Sequence, residues 1–259
     1  EIMLTEYRNI FDSHTHYDSE AYDDDRDELL NSLFEDGIIA AVNCGSDLRT
    51  SRISQALSQK YDKIYFAAGV HPHETAKIGE NDFDEIKKLL SDPKCVAIGE
   101  IGLDYHYDFS PRETQKEVFE YQLKLAKELD MPVIIHNREA HQDTWELLKK
   151  YKPKGVVHCF SGSVEMAKDI LSIGMYIGLG GATTFKNAKT PVAVAKMLPD
   201  DRLLIETDCP YMTPVPHRGE RNDSSYIPYI AELMAEVRGV SAQEILDMTA
   251  ENARKLFFK

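Results

Sequence analysis

The sequence predicts a single α/β domain spanning residues 1–259, built as a (β/α)8 TIM barrel. Three observations predict it. Eight short apolar runs recur along the chain, segments with helical signals separate them, and polar residues collect at the C-terminal ends of the runs. Strands alternating with helices read as βαβ units, and eight such units make a closed barrel. A doubly wound open sheet is the alternative architecture. No linker, low-complexity tract or repeat divides the chain, and 259 residues suit one barrel.

In chain order the runs are NIFDSHTH (9–16), IIAAVNCG (38–45), IYFAAGVH (64–71), CVAIGEIG (95–102), PVIIHN (132–137), GVVHCF (155–160), MYIGLGG (175–181) and RLLIETD (202–208). Several are almost continuously apolar, as parallel strands covered on both faces are. Between them lie helix signals. Ser110-Pro111-Arg112-Glu113 reads as a capping box with Pro at the first helical position, followed by an apolar stripe of Val118, Tyr121, Leu125 and Leu129. Thr190-Pro191 opens another helix. Ser241 and Glu244 form a second capping box ahead of a C-terminal helix carrying Ile245, Met248, Ala253 and Leu256. The acidic stretch 18–28 reads as the solvated first turn of a helix, where carboxylates favour the dipole.

Composition bounds the function. The net charge is -14, from 30 basic and 44 acidic side chains, so a broad duplex-binding face is excluded while a small local pocket is not. The four cysteines form no CxxC pair and suggest no disulfide framework, which fits a reducing, cytoplasmic setting. No run is long enough to span a membrane, and the N-terminus lacks a signal-peptide pattern. Glu1-Ile2, without an initiator Met, is expected to be a cloning remnant or a product of processing.

The chemistry concentrates at the strand ends. In FDSHTH, the period of two puts Asp12, His14 and His16 on one side of the first strand. His71 and His73 end the third run, Glu100 and Asp104 the fourth, His136 the fifth, His158 the sixth, and Glu206 and Asp208 the eighth. Barrel enzymes build their sites at this rim. So many titratable groups gathered without a cation would cost several kcal/mol each, so a metal centre is expected. The donor count suggests two divalent ions. One takes His14, His16 and Asp208, the other takes His136 and His158, and Glu100 bridges them. Such a pair can hold a metal-activated hydroxide, with Asp208 accepting a proton from the attacking water. Imidazoles favour Zn, while the carboxylates permit Mg or Mn.

On the substrate side, His71 and His73 contact an oxyanion or are loop polars. Arg138, Arg218 and Arg221 offer forks for phosphate. Ser161 and Gly162 bind phosphate or, as the better reading, cap the next helix. GLGG (178–181) is read as a strand end. Tyr105 and Tyr107 stack a base or sugar, or cover the rim.

With these motifs in order (FDSHTH, GVHPH, IGEIGLDY, HNR, HCFSG, ETDCP and HRGERN) the chain resembles the TatD family of metal-dependent deoxyribonucleases, within the amidohydrolase-type barrels. The resemblance implies a metal site of His14, His16, Glu100, His136, His158 and Asp208. It also implies hydrolysis of nucleic-acid phosphodiesters, with 3′ to 5′ trimming of single-stranded ends. Glu100 and Asp208 are the expected catalytic residues; His71, Arg138, Ser161 and Arg218 are the expected substrate contacts. The expected partner is single-stranded DNA or a short nucleic-acid end, with no membrane and no obligate protein partner. Hydrolysis of a small ester or amide, or of an aminoacyl-nucleic acid ester, is the alternative activity.

Overall fold

In the computed structural model, which describes residues 4–258, each of the eight runs contains a strand. Glu1 and Ile2 lie outside the described residues. The strands are β1 (Ile10–Thr15), β2 (Ile38–Cys44), β3 (Ile64–Ala68), β4 (Cys95–Asp104), β5 (Val133–Arg138), β6 (Gly155–Val157), β7 (Tyr176–Leu179) and β8 (Leu203–Ile205). They pair in chain order, every pair parallel. The last seam closes just past β8. Thr15 bridges to Cys209, the Asp208 N–H donates to the His14 carbonyl at 2.9 Å, and the His16 N–H donates to the Cys209 carbonyl at 2.9 Å. The expected barrel is the observed one.

Helices α1 (Arg26–Glu35), α2 (Leu48–Lys60), α3 (Asp82–Leu90), α4 (Arg112–Leu129), α5 (His141–Tyr151), α6 (Val164–Ser172) and α7 (Lys189–Met197) join successive strands, and α8 (Ile227–Arg238) and α9 (Ala242–Phe257) follow β8. Among the described residues no helix is long and apolar enough to cross a membrane.

Two apolar clusters hold the layers together. The larger fills the space between strands and helices. The smaller draws Phe11, Val42, Ala67, Ala97, Ile134, Val156 and Leu204 from seven strands, so it lies inside the barrel. Phe257 stacks on Phe11 at 6.2 Å, and Phe258 lies 5.6 Å from the same ring. The chain's C-terminal aromatics therefore plug the end of the barrel opposite the polar rim.

The buried face of α4 differs from the expected stripe. Leu125 is buried and Val118 packs against the core as expected, but Tyr121 and Leu129 are exposed, and Phe119, Gln122, Leu123 and Ala126 complete the inward face. The reason is polar. The Gln122 amide accepts from the Val70 N–H at 2.8 Å and donates to the Val70 carbonyl at 3.0 Å. Gln115 does the same for Asp104, at 2.9 and 3.1 Å. Buried backbone groups need partners, and these two glutamines supply them where β3 and β4 run into the rim. Ser110 does not cap α4 either; its hydroxyl donates to the His73 carbonyl at 3.2 Å and accepts from the Ala76 N–H at 3.1 Å. Helix α7 starts before Thr190, at Lys189. The box at Ser241 is present in both directions, with the hydroxyl accepting from Glu244 N–H at 3.1 Å and the carboxylate from Ser241 N–H at 2.7 Å.

In the acidic stretch, only Asp27 and Glu28 sit in the first turn of α1. A 3-10 turn over Glu20–Tyr22 precedes it, and the Asp25 carboxylate accepts both arms of the Arg221 fork at 2.7 Å. Arg221 is thereby committed to holding two loops together rather than to phosphate.

Candidate metal centre

The rim residues arrive from seven places in the fold. His14 lies on β1 and His16 just after it; Glu100 and Asp104 lie on β4 and His136 on β5. His71 and His73 follow β3, His158 follows β6, and Glu206 and Asp208 follow β8. Asp12 does not join them. The β1–β2 register shifts between Asp12 and Thr15, which breaks the simple alternation of faces. Its buried carboxylate instead accepts from the Thr207 hydroxyl and the Ser224 hydroxyl, each at 2.7 Å. Burial pushes this carboxyl up to about 7 against those hydrogen bonds.

Glu100 sits at the centre and serves two sides. Its Oε1 is 3.3 Å from His14 Nε2 and 3.7 Å from His16 Nε2. Its Oε2 is 2.9 Å from His158 Nε2 and 3.2 Å from His136 Nδ1. Asp208 Oδ1 completes the first side, 3.2 Å from His16 Nε2 and 3.5 Å from His14 Nε2. Those two Nε2 atoms face each other at 3.1 Å. Donors bound about 2.0–2.2 Å from one cation stand roughly 3.0–3.5 Å apart, so the His14, His16 and Asp208 side has the spacing of a ligand set. On the other side Glu100 is within such reach of His158 and of His136 separately, His158 grouping closely with His14 and Glu100, and His136 with His71 and Glu100.

The far nitrogens of the rings make the same point. A ligating imidazole holds its other N–H on an acceptor. His16 Nδ1 meets the Cys44 carbonyl at 3.1 Å, His158 Nδ1 meets Glu206 Oε1 at 3.1 Å, and His136 Nε2 meets Asp104 Oδ2 at 2.9 Å. In each the opposite nitrogen faces Glu100. His14 Nδ1 has the softer Cys44 Sγ at 3.5 Å. His71 is the reverse case. Its Nδ1 accepts the His73 N–H at 3.1 Å, so Nε2 carries the proton and points at Glu100 Oε2, 3.6 Å away. Although His71 lies close enough to Glu100 and His136 to share an ion, its tautomer suits donation rather than ligation. The donor set therefore fits divalent cations on the two sides of Glu100.

Electrostatics follow the geometry. Burial would raise the Glu100 carboxyl, but the charges of His158, His14 and His71 and a hydrogen bond from His136 hold it well below the usual range. Burial would strip the His158 proton, yet Glu100 and Glu206 keep it well above the ordinary imidazole value. Burial dominates for His71, which is held well below that value and is neutral. His16 is lifted to about 9, because Asp208 and Glu100 outweigh its burial. That value lies above neutral pH, so His16 is protonated at pH 7.5 without a cation and must lose the proton to ligate one. Loading with Zn at pH 7.5 is expected to release at least one proton, read by calorimetry in two buffers of different ionisation enthalpy. No proton release would contradict the ligand role.

The backbone is bent to place these groups. Cys159, directly after His158, has φ 43°, and Asp208 has φ 56°, a region that non-glycine residues seldom occupy. The GLGG run has a packing role. A Cβ at Gly178 would lie 2.6 Å from Glu206 Oε2, so glycine makes room for the carboxylate that orients His158. That oxygen has no hydrogen-bond partner, while Oε1 accepts the Cys159 N–H at 2.8 Å. Glu206→Gln is expected to weaken metal affinity by about 10- to 100-fold, measured by chelator competition.

Of the expected substrate contacts, His71 lies at the centre, whereas Arg138 is exposed at the end of β5, and Ser161 and Arg218 are exposed on loops. The Arg138 guanidinium sits 5.1 Å from the Tyr107 ring and that of Arg218 3.7 Å from the Phe185 ring. The cap of α6 is Ser163, whose hydroxyl accepts from the Met166 N–H, and neither Ser161 nor Gly162 fills that role. Tyr105 is also committed elsewhere, its hydroxyl donating to Asp143 at 2.5 Å and its ring carrying Arg112 at 4.2 Å. Asp104 and Glu206 received no role from the sequence. Asp104 stands four residues after Glu100 and Glu206 two before Asp208, and that even spacing along the strand was the available signal.

Similarity to known proteins agrees with the site. A family model described as TatD related DNase matches residues 11–258. The chain is 45% identical over 251 residues to an uncharacterized metal-dependent hydrolase, YabD, of Bacillus subtilis (strain 168), covering 96% of this chain and 98% of that protein. It is 34% identical to the 3′-5′ ssDNA/RNA exonuclease TatD of Citrobacter rodentium (strain ICC168), covering 96% and 97%. The crystal structure of YJJV, a TatD homologue from Escherichia coli K12, superposes with a TM-score of 0.90 at 31% identity, covering 96% of this chain and 98% of that one.

Proposed function

Because this chain belongs to the TatD-related DNase family and is a metal-dependent hydrolase, we propose that it cleaves nucleic-acid phosphodiesters, trimming single-stranded ends from 3′ to 5′. The observation that carries the reading is Glu100, which turns one carboxylate oxygen to the His14, His16 and Asp208 side and the other to the His136 and His158 side. On this reading those six residues hold two divalent ions, of Mg, Mn or Zn. When bound, such a pair supplies Lewis acidity at a phosphoryl oxygen and lowers the pKa of a water.

The chain's own groups do the rest. Asp208, partly open to the mouth, takes the proton of the attacking water on Oδ2. Neutral His71 donates from Nε2 to a non-bridging phosphate oxygen, and its Nδ1 bond to the His73 N–H keeps that tautomer. Arg138 and Arg218 meet flanking phosphates, and Ser161 offers a hydroxyl beside His158. A chain of net charge -14 gains little from counterion release along a duplex. It suits a short strand end entering the mouth. The names of relatives that act on single-stranded DNA and RNA support the same substrate.

The test is a 5′-labelled single-stranded oligonucleotide incubated with protein loaded in turn with Mg, Mn, Zn and Co. The expected result is a ladder shortening from the 3′ end, stopped by a terminal phosphorothioate. Intact oligonucleotide under every metal, with turnover of small esters, would overturn the nuclease reading.

A further inference from the structure

Two aromatic rings beside the centre lie outside both apolar clusters. Phe109 is 63% exposed and Tyr107 48%, and their rings stack at 5.0 Å and 9°. Exposed large apolar side chains normally carry a cost, so a stacked pair at a site mouth points to a ligand. The pair is also fixed in place. Asp104 Oδ1 accepts the N–H groups of His106 and Tyr107, each at 3.1 Å. The next residue, Asp108, is gripped by the Arg112 fork at 2.8 and 2.9 Å. The Phe109 ring meets His73 edge-on at 4.8 Å, and the His73 ring lies 6.2 Å from His136. The other oxygen of Asp104 is the one that meets His136 and, at 3.1 Å, His73 Nε2. One carboxylate thus sets both the aromatic loop and a candidate ligand.

We propose that Phe109, backed by Tyr107, is a stacking platform for the base of a nucleotide neighbouring the scissile phosphate, and that it makes the enzyme selective for base-bearing ends. This rests on the nuclease reading above and adds its source of affinity. With a strongly acidic surface, little binding can come from phosphate neutralisation. Aromatic stacking supplies it instead, and it tolerates every base because each has a π-face. The Arg138 guanidinium, 5.1 Å from the Tyr107 ring, is the cation nearest to hand for the adjoining phosphate on this proposal. A preordered loop loses little entropy on binding, which keeps the platform effective.

The test compares two 5′-labelled single strands, one natural and one carrying tetrahydrofuran abasic residues at its 3′ end. The protein is expected to prefer the natural end by about 10- to 100-fold in kcat/KM. Phe109→Ala should collapse that preference toward one, through a higher KM for the natural strand. Phe109→Trp should restore it. Because the ring is mostly exposed, its loss leaves both apolar clusters intact. Equal cleavage of both ends by the parent protein, or an unchanged preference in Phe109→Ala, overturns the platform alone. No shortening of either strand overturns the nuclease reading and the platform with it.

Discussion

Glu100→Gln is expected to lower turnover on the order of 10³-fold and to reduce bound metal from two ions per chain, with the circular dichroism spectrum retained. The substitution keeps the volume and planar shape. It replaces one carboxylate oxygen with an amide NH2, which donates and cannot ligate. Four imidazoles lie within 3.7 Å of one or other Glu100 oxygen on the two proposed ligand sides, so either orientation of the amide turns a donor toward one pair of them. Metal analysis by mass spectrometry beside single-turnover rates separates lost binding from lost chemistry. Full activity in this variant would remove Glu100 from the mechanism.

The second large effect is on the fold. Gly102 has φ +144°, and a Cβ there would stand 1.9 Å from the His136 carbonyl oxygen and 2.9 Å from its carbon. Gly102 and His136 are direct partners in the β4–β5 ladder. Neither strand can retreat, because β4 is buried along its whole length. Gly102→Ala is therefore expected to cost about 3 kcal/mol or more, read from the urea midpoint. It should also weaken metal binding, since it forces apart the strands that carry Glu100 and His136. Wild-type stability would mean that the ladder yields locally.

The barrel and the ring of candidate ligands were legible because each depends on where a residue falls in a short run. A strand end is easy to find in PVIIHN or RLLIETD, and parallel strands bring such ends together whatever separates them in sequence. Contacts that depend on departures from the regular pattern were not legible. The register shift in β1 sends Asp12 to Thr207 and Ser224 rather than to the histidines. The inward face of α4 was legible only in part: Val118 and Leu125 pack inward, but Gln115 and Gln122 are buried for their amides, which no hydrophobic stripe reveals. Arg221 looked like a phosphate fork until its partner, Asp25, came from 196 residues away. Phe109 went unnoticed because exposure is a property of the folded loop; nothing in the letters distinguishes it from a core phenylalanine.

The way the cylinder closes has a consequence for how it opens. His14 and His16 belong to the first strand and its end, and Asp208 to the segment beyond the last, with the Asp208 and His16 amides bonded across the join. On the proposed ligand set, a cation gripped by all three side chains would act as a clasp across the seam where the two ends of the sheet meet. Stripping it with a chelator should free the Asp208 and His16 amides to hydrogen exchange before those of the β3–β5 wall, so that emptying the centre and unlatching the barrel become one event.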